Sequence, residues 1–229
     1  MAFPELPNRL AEVRGAVGQH QRRGGWSHPV RVVAVTKTHG PEAVRAAVAA
    51  GVDAIGENRI QEALAKQDAL TDVQVEWHFI GRLQRNKVRR AIGRFAWIHS
   101  VDRNDLALEF QRRVPPDAAP QRVLVEVNCS KEAQKGGVEP EELPGLLETL
   151  AEYDRLDVRG LMTMAEYTTD QQVQRQTFHL LRSLRDEAQS RGHSLPELSM
   201  GMSGDYTIAV EEGATMIRLG TLLFGGRSA

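Results

Sequence analysis

Short apolar runs alternate with helical stripes along nearly the whole chain. The first run, Arg31-Val32-Val33-Ala34-Val35, is apolar on both sides of the pleat and predicts a strand buried on both faces. Comparable runs predict further strands over 53–58, 75–81, 95–100, 122–128, 158–162, 197–200 and 214–219. Between them apolar residues return every three or four positions. Ala43, Val44, Ala47 and Val48 follow the first strand, and Ile60 and Leu64 follow the second. The basic segment 84–94 is expected to follow the third strand as a helix, and a helix starts near Asp102 or Arg103 after the fourth. Leu143, Leu146, Leu147 and Leu150 follow the fifth, and Val173, Leu180, Leu181, Leu184 and Ala188 follow the sixth. A short helix is expected over 204–213. Ahead of the first strand, Leu6, Leu10, Val13 and Val17 predict an accessory helix over 4–22, packed outside the main body.

Eight strands alternating with helices argue for parallel strands joined by right-handed crossovers. The pattern predicts an α/β fold: one (β/α)8 TIM barrel spanning 1–229, with an extra N-terminal helix. An open doubly wound sheet is the alternative. It calls for a glycine-rich fingerprint after the first strand, and Lys37-Thr38-His39-Gly40-Pro41 is not one.

Composition narrows the setting. The chain has 229 residues, 41% of them hydrophobic, and net charge -1. A single cysteine, Cys129, excludes a disulfide framework and points to the cytoplasm. Following an apolar strand, Cys129 reads as a small buried hydrophobe rather than a nucleophile. No apolar run approaches the roughly 18 residues of a membrane span, and the N-terminus lacks a signal-peptide pattern.

In such a barrel the chemistry collects at the C-terminal ends of the strands. Lys37 closes the first strand. Burial there is expected to disfavour the ammonium and make the amine a nucleophile toward a carbonyl; a solvated ammonium is the plainer alternative. The seventh strand leads into Ser199-Met200-Gly201-Met202-Ser203-Gly204-Asp205, and the eighth into Arg218-Leu219-Gly220-Thr221. Barrels bind phosphate with these two loops, where glycines admit backbone N–H groups and hydroxyls donate. Two glycine turns and a serine cap would read the same way. A phosphate clamp opposite an activated lysine suggests pyridoxal 5'-phosphate, with Arg218 placed for its ring nitrogen.

The chain resembles the YggS/PROSC family of pyridoxal phosphate homeostasis proteins. The resemblance rests on Val35-Thr36-Lys37, Gly56-Glu57-Asn58-Arg59, His78-Phe79-Ile80-Gly81-Arg82-Leu83-Gln84 with Asn86-Lys87, Lys135-Gly136-Gly137, Gly160-Leu161-Met162, Leu198-Ser199-Met200-Gly201-Met202-Ser203 with Asp205, and Arg218-Leu219-Gly220 with Phe224-Gly225. These run in order through nearly the whole chain. The resemblance implies a fold-type III barrel like the N-terminal domain of alanine racemase. It implies that Lys37 holds pyridoxal phosphate as an internal aldimine, with Arg218 at the pyridine nitrogen and Asn58 near the ring. It implies Ser203, Gly204, Gly220 and Thr221 around the phosphate.

Arginine cannot give its proton to the ring, so transamination is disfavoured. Racemisation needs acid–base groups on both faces. Similar racemases bring a tyrosine from a second domain, which is not expected in a chain ending at Ala229. Tyr206 lies near the phosphate loop but is expected to pack in its helix. The expectation is therefore a pyridoxal phosphate carrier, not an enzyme, acting in homeostasis and delivery to apo-enzymes. The chain is expected to be a monomer without nucleic-acid or membrane partners. An amino-acid racemase and a Schiff-base aldolase are the alternatives. Arg82 to Arg94 reads as a solvated basic face or a minor anion contact. Met162, Met164, Met200 and Met202 are expected to fill the barrel top around the ring. His78 and His99 lack a third ligand at metal spacing. The segment 130–138, with Lys135-Gly136-Gly137, is either a lid over the site or a surface loop.

Overall fold

Eight parallel strands close on themselves in sequence order in a computed structural model that describes residues 2–130, 132 and 136–226. The strands are β1 (Arg31–Val35), β2 (Ala54–Glu57), β3 (Glu76–Phe79), β4 (Trp97–Val101), β5 (Gln121–Glu126), β6 (Leu156–Met162), β7 (Glu197–Ser199) and β8 (Met216–Leu219). The helices are α1 (Leu6–Gly24), α2 (Pro41–Ala49), α3 (Ile60–Asp68), α4 (Val88–Ala91), α5 (Asn104–Arg113), α6 (Leu143–Ala151), α7 (Gln171–Ser190), α8 (Tyr206–Glu211) and α9 (Thr221–Phe224). Pairing of β1 with β8, Ala34 opposite Leu219, completes the barrel. Every strand expected from the apolar runs is present, and the open sheet is excluded.

Alternation along each strand sorts the side chains. Ala34, Ile55, Ile98, Val125, Leu161 and Leu219 face outward and share one core with the helices. Trp97, Leu124, Met162 and Met216 form a separate apolar layer inside the barrel. Toward the C-terminal ends the interior turns polar, with His78, His99, Glu126, Ser199 and Arg218 all buried.

Some expectations change. Segment 84–94 is a 3-10 turn (Arg85–Lys87) running into α4, because only Val88 and Ala91 find burial and Gly93 turns the chain at φ 73°. Helix α9 had no sequence signal of its own. In α7 the buried face carries Gln174, Thr177, Phe178, Leu181 and Ala188, while Val173, Leu180 and Leu184 are half-buried. In α3 the buried face is Ile60, Ala63 and Lys66, and Leu64 is half-buried. Helix α1 buries Leu6, Leu10, Val13 and Val17 and packs outside the barrel against α8 and α9.

Candidate functional site

Strand register gathers the sequence-derived residues on one rim. Val35 pairs with Gly56, and the Thr36 N–H donates to the Gly56 carbonyl, so the chain beyond β1 runs beside Glu57 and Asn58. On its other side Gly220 lies against Val35. Lys37 therefore leaves the barrel between Asn58 and the Gly220-Thr221 turn. Residue 38 is a threonine at φ 69°, a left-handed conformation that a β-branched residue rarely adopts. Such strain is retained where surrounding structure holds it, and here it directly follows Lys37.

Lys37 is exposed, not buried. The chain turns out of the sheet after Thr36, whose carbonyl accepts from the His39 N–H. The buried lysine at this rim is Lys66, reaching over from α3. Its Nζ donates to Glu57 Oε1 at 2.5 Å and to the Thr36 carbonyl at 2.7 Å, and Thr36 Oγ1 donates to the same carboxylate. This ion pair sits in the layer between barrel and helix and clamps the start of the Lys37 turn. The signal in the sequence was a lysine at the i+6 position of a face whose other members are Ile60 and Ala63.

The loops after β7 and β8 meet. Ser203 Oγ accepts from the Leu222 N–H at 3.2 Å, and the Arg218 N–H donates to the Gly201 carbonyl. Asp205 accepts from the Met202 N–H and holds the first loop. A Cβ at Gly204 would meet nothing within 4 Å, so open space adjoins the loop. Among the described residues, no protein acceptor takes the N–H groups of Ser203, Gly204 or Thr221.

Arg218 points into the barrel. It donates to Ser199 Oγ at 2.6 Å and to the Thr163 carbonyl at 2.9 Å. Burial pushes its guanidinium down to about 10, against the pull of Asp205 and Glu126, so it stays charged at neutral pH. Ser199 Oγ also meets His99 Nδ1, and His99 Nε2 meets His78 Nδ1, each at 2.9 Å. Arginine only donates, so Ser199 Oγ is the acceptor in its bond with Arg218. With Ser199 Oγ accepting from Arg218, one consistent direction has the Ser199 hydroxyl donating to His99 Nδ1 and His99 Nε2–H donating to His78 Nδ1. Burial holds both imidazoles below the usual histidine range. Both are neutral and hydrogen-bond in one chain that ends on Arg218; among the described residues no group of three or more His, Cys, Asp or Glu is placed to hold a metal ion.

Glu126, at the end of β5, had no motif to mark it. Burial raises its carboxyl to about 7, helped by Asp102 and opposed by Arg218 and Arg82. A Cβ on Gly136 would lie 3.6 Å from Glu126 and 3.7 Å from Asp102, so the chain after β5 passes over both carboxyls. Lys135 and its neighbours 131, 133 and 134 lie outside the described residues. Cys129 is buried and its thiol is pushed up to about 12 by that burial, which fits packing and not nucleophilic chemistry. Met162 belongs to the interior layer and Met164 packs against it, but Met200 faces the helices and Met202 is exposed. Residue parity along β7 turned Met200 away from the mouth. Tyr206 begins α8 half-buried.

A family model, alanine racemase N-terminal domain, matches residues 19–228. A pyridoxal phosphate homeostasis protein of Aquifex aeolicus is 47% identical over 208 residues, covering 90% of this chain and 91% of that protein. The chain belongs to the pyridoxal phosphate homeostasis protein family. The family member of Escherichia coli K12 is 36% identical over 97% of both chains. PipY of Synechococcus elongatus PCC7942, solved with PLP bound, superposes with a TM-score of 0.85 at 38% identity, covering 96% of this chain and all of that one (100%). Alanine racemase of Corynebacterium glutamicum shares the fold, with a TM-score of 0.72 at 18% identity over 93% of this chain and 62% of that one.

Proposed function

We propose that the chain binds pyridoxal 5'-phosphate on the barrel rim through Lys37 and acts in its homeostasis and delivery to apo-enzymes, with no strong catalysis of its own. The observation that carries this is the bond between Ser203 and Leu222, which joins two glycine-bearing loops into one donor-lined cradle beside Lys37. The residues fit the group. Open space at Gly204 and the N–H groups of Ser203, Gly204 and Thr221 suit an anion with three acceptor oxygens. Pyridoxal phosphate supplies an aldehyde that condenses reversibly with an amine, and a ring that withdraws electrons. Membership of the family and the PLP-bound PipY structure support the same ligand.

Each residue then has a task. Lys37, exposed on a strained turn, offers its amine to solvent, which suits loading and release. Ser203, Gly204, Gly220 and Thr221 would moor the phosphate, and Asn58 would border the ring. Arg218 would hold a fixed positive charge at the ring nitrogen and oppose its protonation, weakening the electron sink that transamination needs. The Ser199–His99–His78 chain keeps Arg218 aimed. No described helix is long and apolar enough to cross a membrane.

Racemase-like proton transfer is the second reading, and Glu126 favours it: a buried carboxyl poised near neutrality lies at the mouth. Borohydride reduction of the loaded protein separates the cases at the binding level. A pyridoxyl adduct is expected on Lys37 by mass spectrometry, and Lys37→Ala is expected to abolish both adduct and visible absorbance. An unchanged absorbance in that variant would overturn the binding reading. Turnover of any amino acid at about 1 per second or more would overturn the carrier reading.

A further inference from the structure

A cavity of about 700 Å³ opens beside the mouth, over the C-terminal ends of β2 and β3. It shares Asn58 with the rim, but Lys37 and the two phosphate loops do not line it. Its wall is cationic: Arg82, Arg85 and Lys87 stand on one stretch of chain, with Arg59 and Arg103 beside them, and no carboxylate lines it. Arg59 is tied to Glu62, and Arg103 to Asp102 and Asp105. Among the described residues Arg82, Arg85 and Lys87 take part in no ion pair and no side-chain hydrogen bond, whereas Arg45, Arg175, Arg182 and Arg191 each close on a carboxylate.

Like charges gathered around a concavity repel one another and focus a positive potential into it. On a flat helix face the same residues would simply be solvated. Here the turn at Arg85–Lys87, in place of the regular helix the segment was expected to form, turns them toward one volume. That volume falls in the range of small-molecule sites, and Ile60, Phe79 and Leu83 add apolar lining to it. Cations with an apolar floor suit an organic phosphate better than a bare anion.

We propose that this cavity is a second, noncovalent site for a small organic phosphate, with Arg85 and Lys87 contacting the phosphate and Arg82 linking it electrostatically to Glu126 at the mouth. The proposal does not depend on Lys37 binding anything.

The test uses the full chain loaded with pyridoxal phosphate and reduced with borohydride, which blocks Lys37. Pyridoxine 5'-phosphate, which has no aldehyde, is then titrated calorimetrically at low and at physiological ionic strength, with inorganic phosphate as comparison. The blocked protein is expected to bind pyridoxine 5'-phosphate, more weakly as salt rises, and more tightly than inorganic phosphate. Arg85→Glu and Lys87→Glu, both on the outer turn, should each lower the affinity roughly tenfold, about 1.4 kcal/mol, while the Lys37 adduct forms as in wild type. If no adduct forms, the reading of the rim fails instead, and the same titration on untreated protein still reads the cavity. Absence of binding, indifference to both charge reversals, or equal affinity for inorganic phosphate would overturn the second site.

Discussion

Glu126 is a buried carboxyl whose burial the nearby Arg218 and Arg82 offset only in part. Its carboxyl ionises near 7 in the fold and near 4.5 when exposed, chiefly because burial disfavours the charge. Between those values the folded chain holds a proton that the unfolded chain has lost, so this group's contribution to stability falls as pH rises through the window. His78 and His99 act in the opposite sense. Burial lowers both, the unfolded chain takes up their protons first, and stability is lost as pH falls through about 6.5. Only a difference between variant and parent isolates Glu126. Glu126→Gln is expected to stabilise the protein at pH 8 by roughly 3 kcal/mol and to leave it nearly unchanged at pH 4.5. Urea unfolding at the two pH values checks this, and an equal gain at both would refute it.

At the scale of elements, β1, β2 and α3 meet through one buried pair. Lys66 neutralises Glu57 and fixes the Thr36 carbonyl, so the helix behind the barrel sets the turn in front of it. Lys66→Met would leave Glu57 buried and unpaired. A loss of about 3–5 kcal/mol is expected, with a large part regained in Lys66→Met/Glu57→Gln, because removing both charges removes the unpaired one. Loading of pyridoxal phosphate should fall in the single variant and recover in the double, read from absorbance. Sequence periodicity located α3 correctly through Ile60, yet it treated Leu64 as buried and was silent on Lys66. A helical stripe tells which residues share a face, but the carboxylate that makes a buried lysine tolerable comes from another element.

For the whole molecule, the accessory helix is a support for the rim. Helix α1 packs on α8 and α9, the two short helices that begin where the loops after β7 and β8 end. Arg9 donates to the Leu223 carbonyl, Trp26 to the Glu211 carbonyl, and His20 meets Glu211 at 2.7 Å. Leu10, buried in this contact, is 1% exposed, and Leu147 in α6 is 2% exposed on a different helix. Truncating either to Ala should cost about 2–5 kcal/mol. Only Leu10→Ala is expected to weaken pyridoxal phosphate binding as well, measured by equilibrium dialysis at a temperature where both variants remain folded. Equal binding by the two would mean that α1 supports stability alone.

Local sequence pattern was enough to specify the barrel and the rim. Strands buried on both faces must be apolar throughout, helices must carry a stripe, and eight such units leave Lys37, Asn58, Ser203, Gly204, Arg218, Gly220 and Thr221 at ends that share one face. Only in the closed barrel does it emerge which lysine is buried, that Met200 turns outward, that Asp102 makes Glu126 harder to ionise, and that Arg82, Arg85 and Lys87 share a cavity. The reason is range. Periodicity is a property of neighbouring residues, whereas burial, charge pairing and pKa depend on groups brought together from distant strands only when the barrel closes.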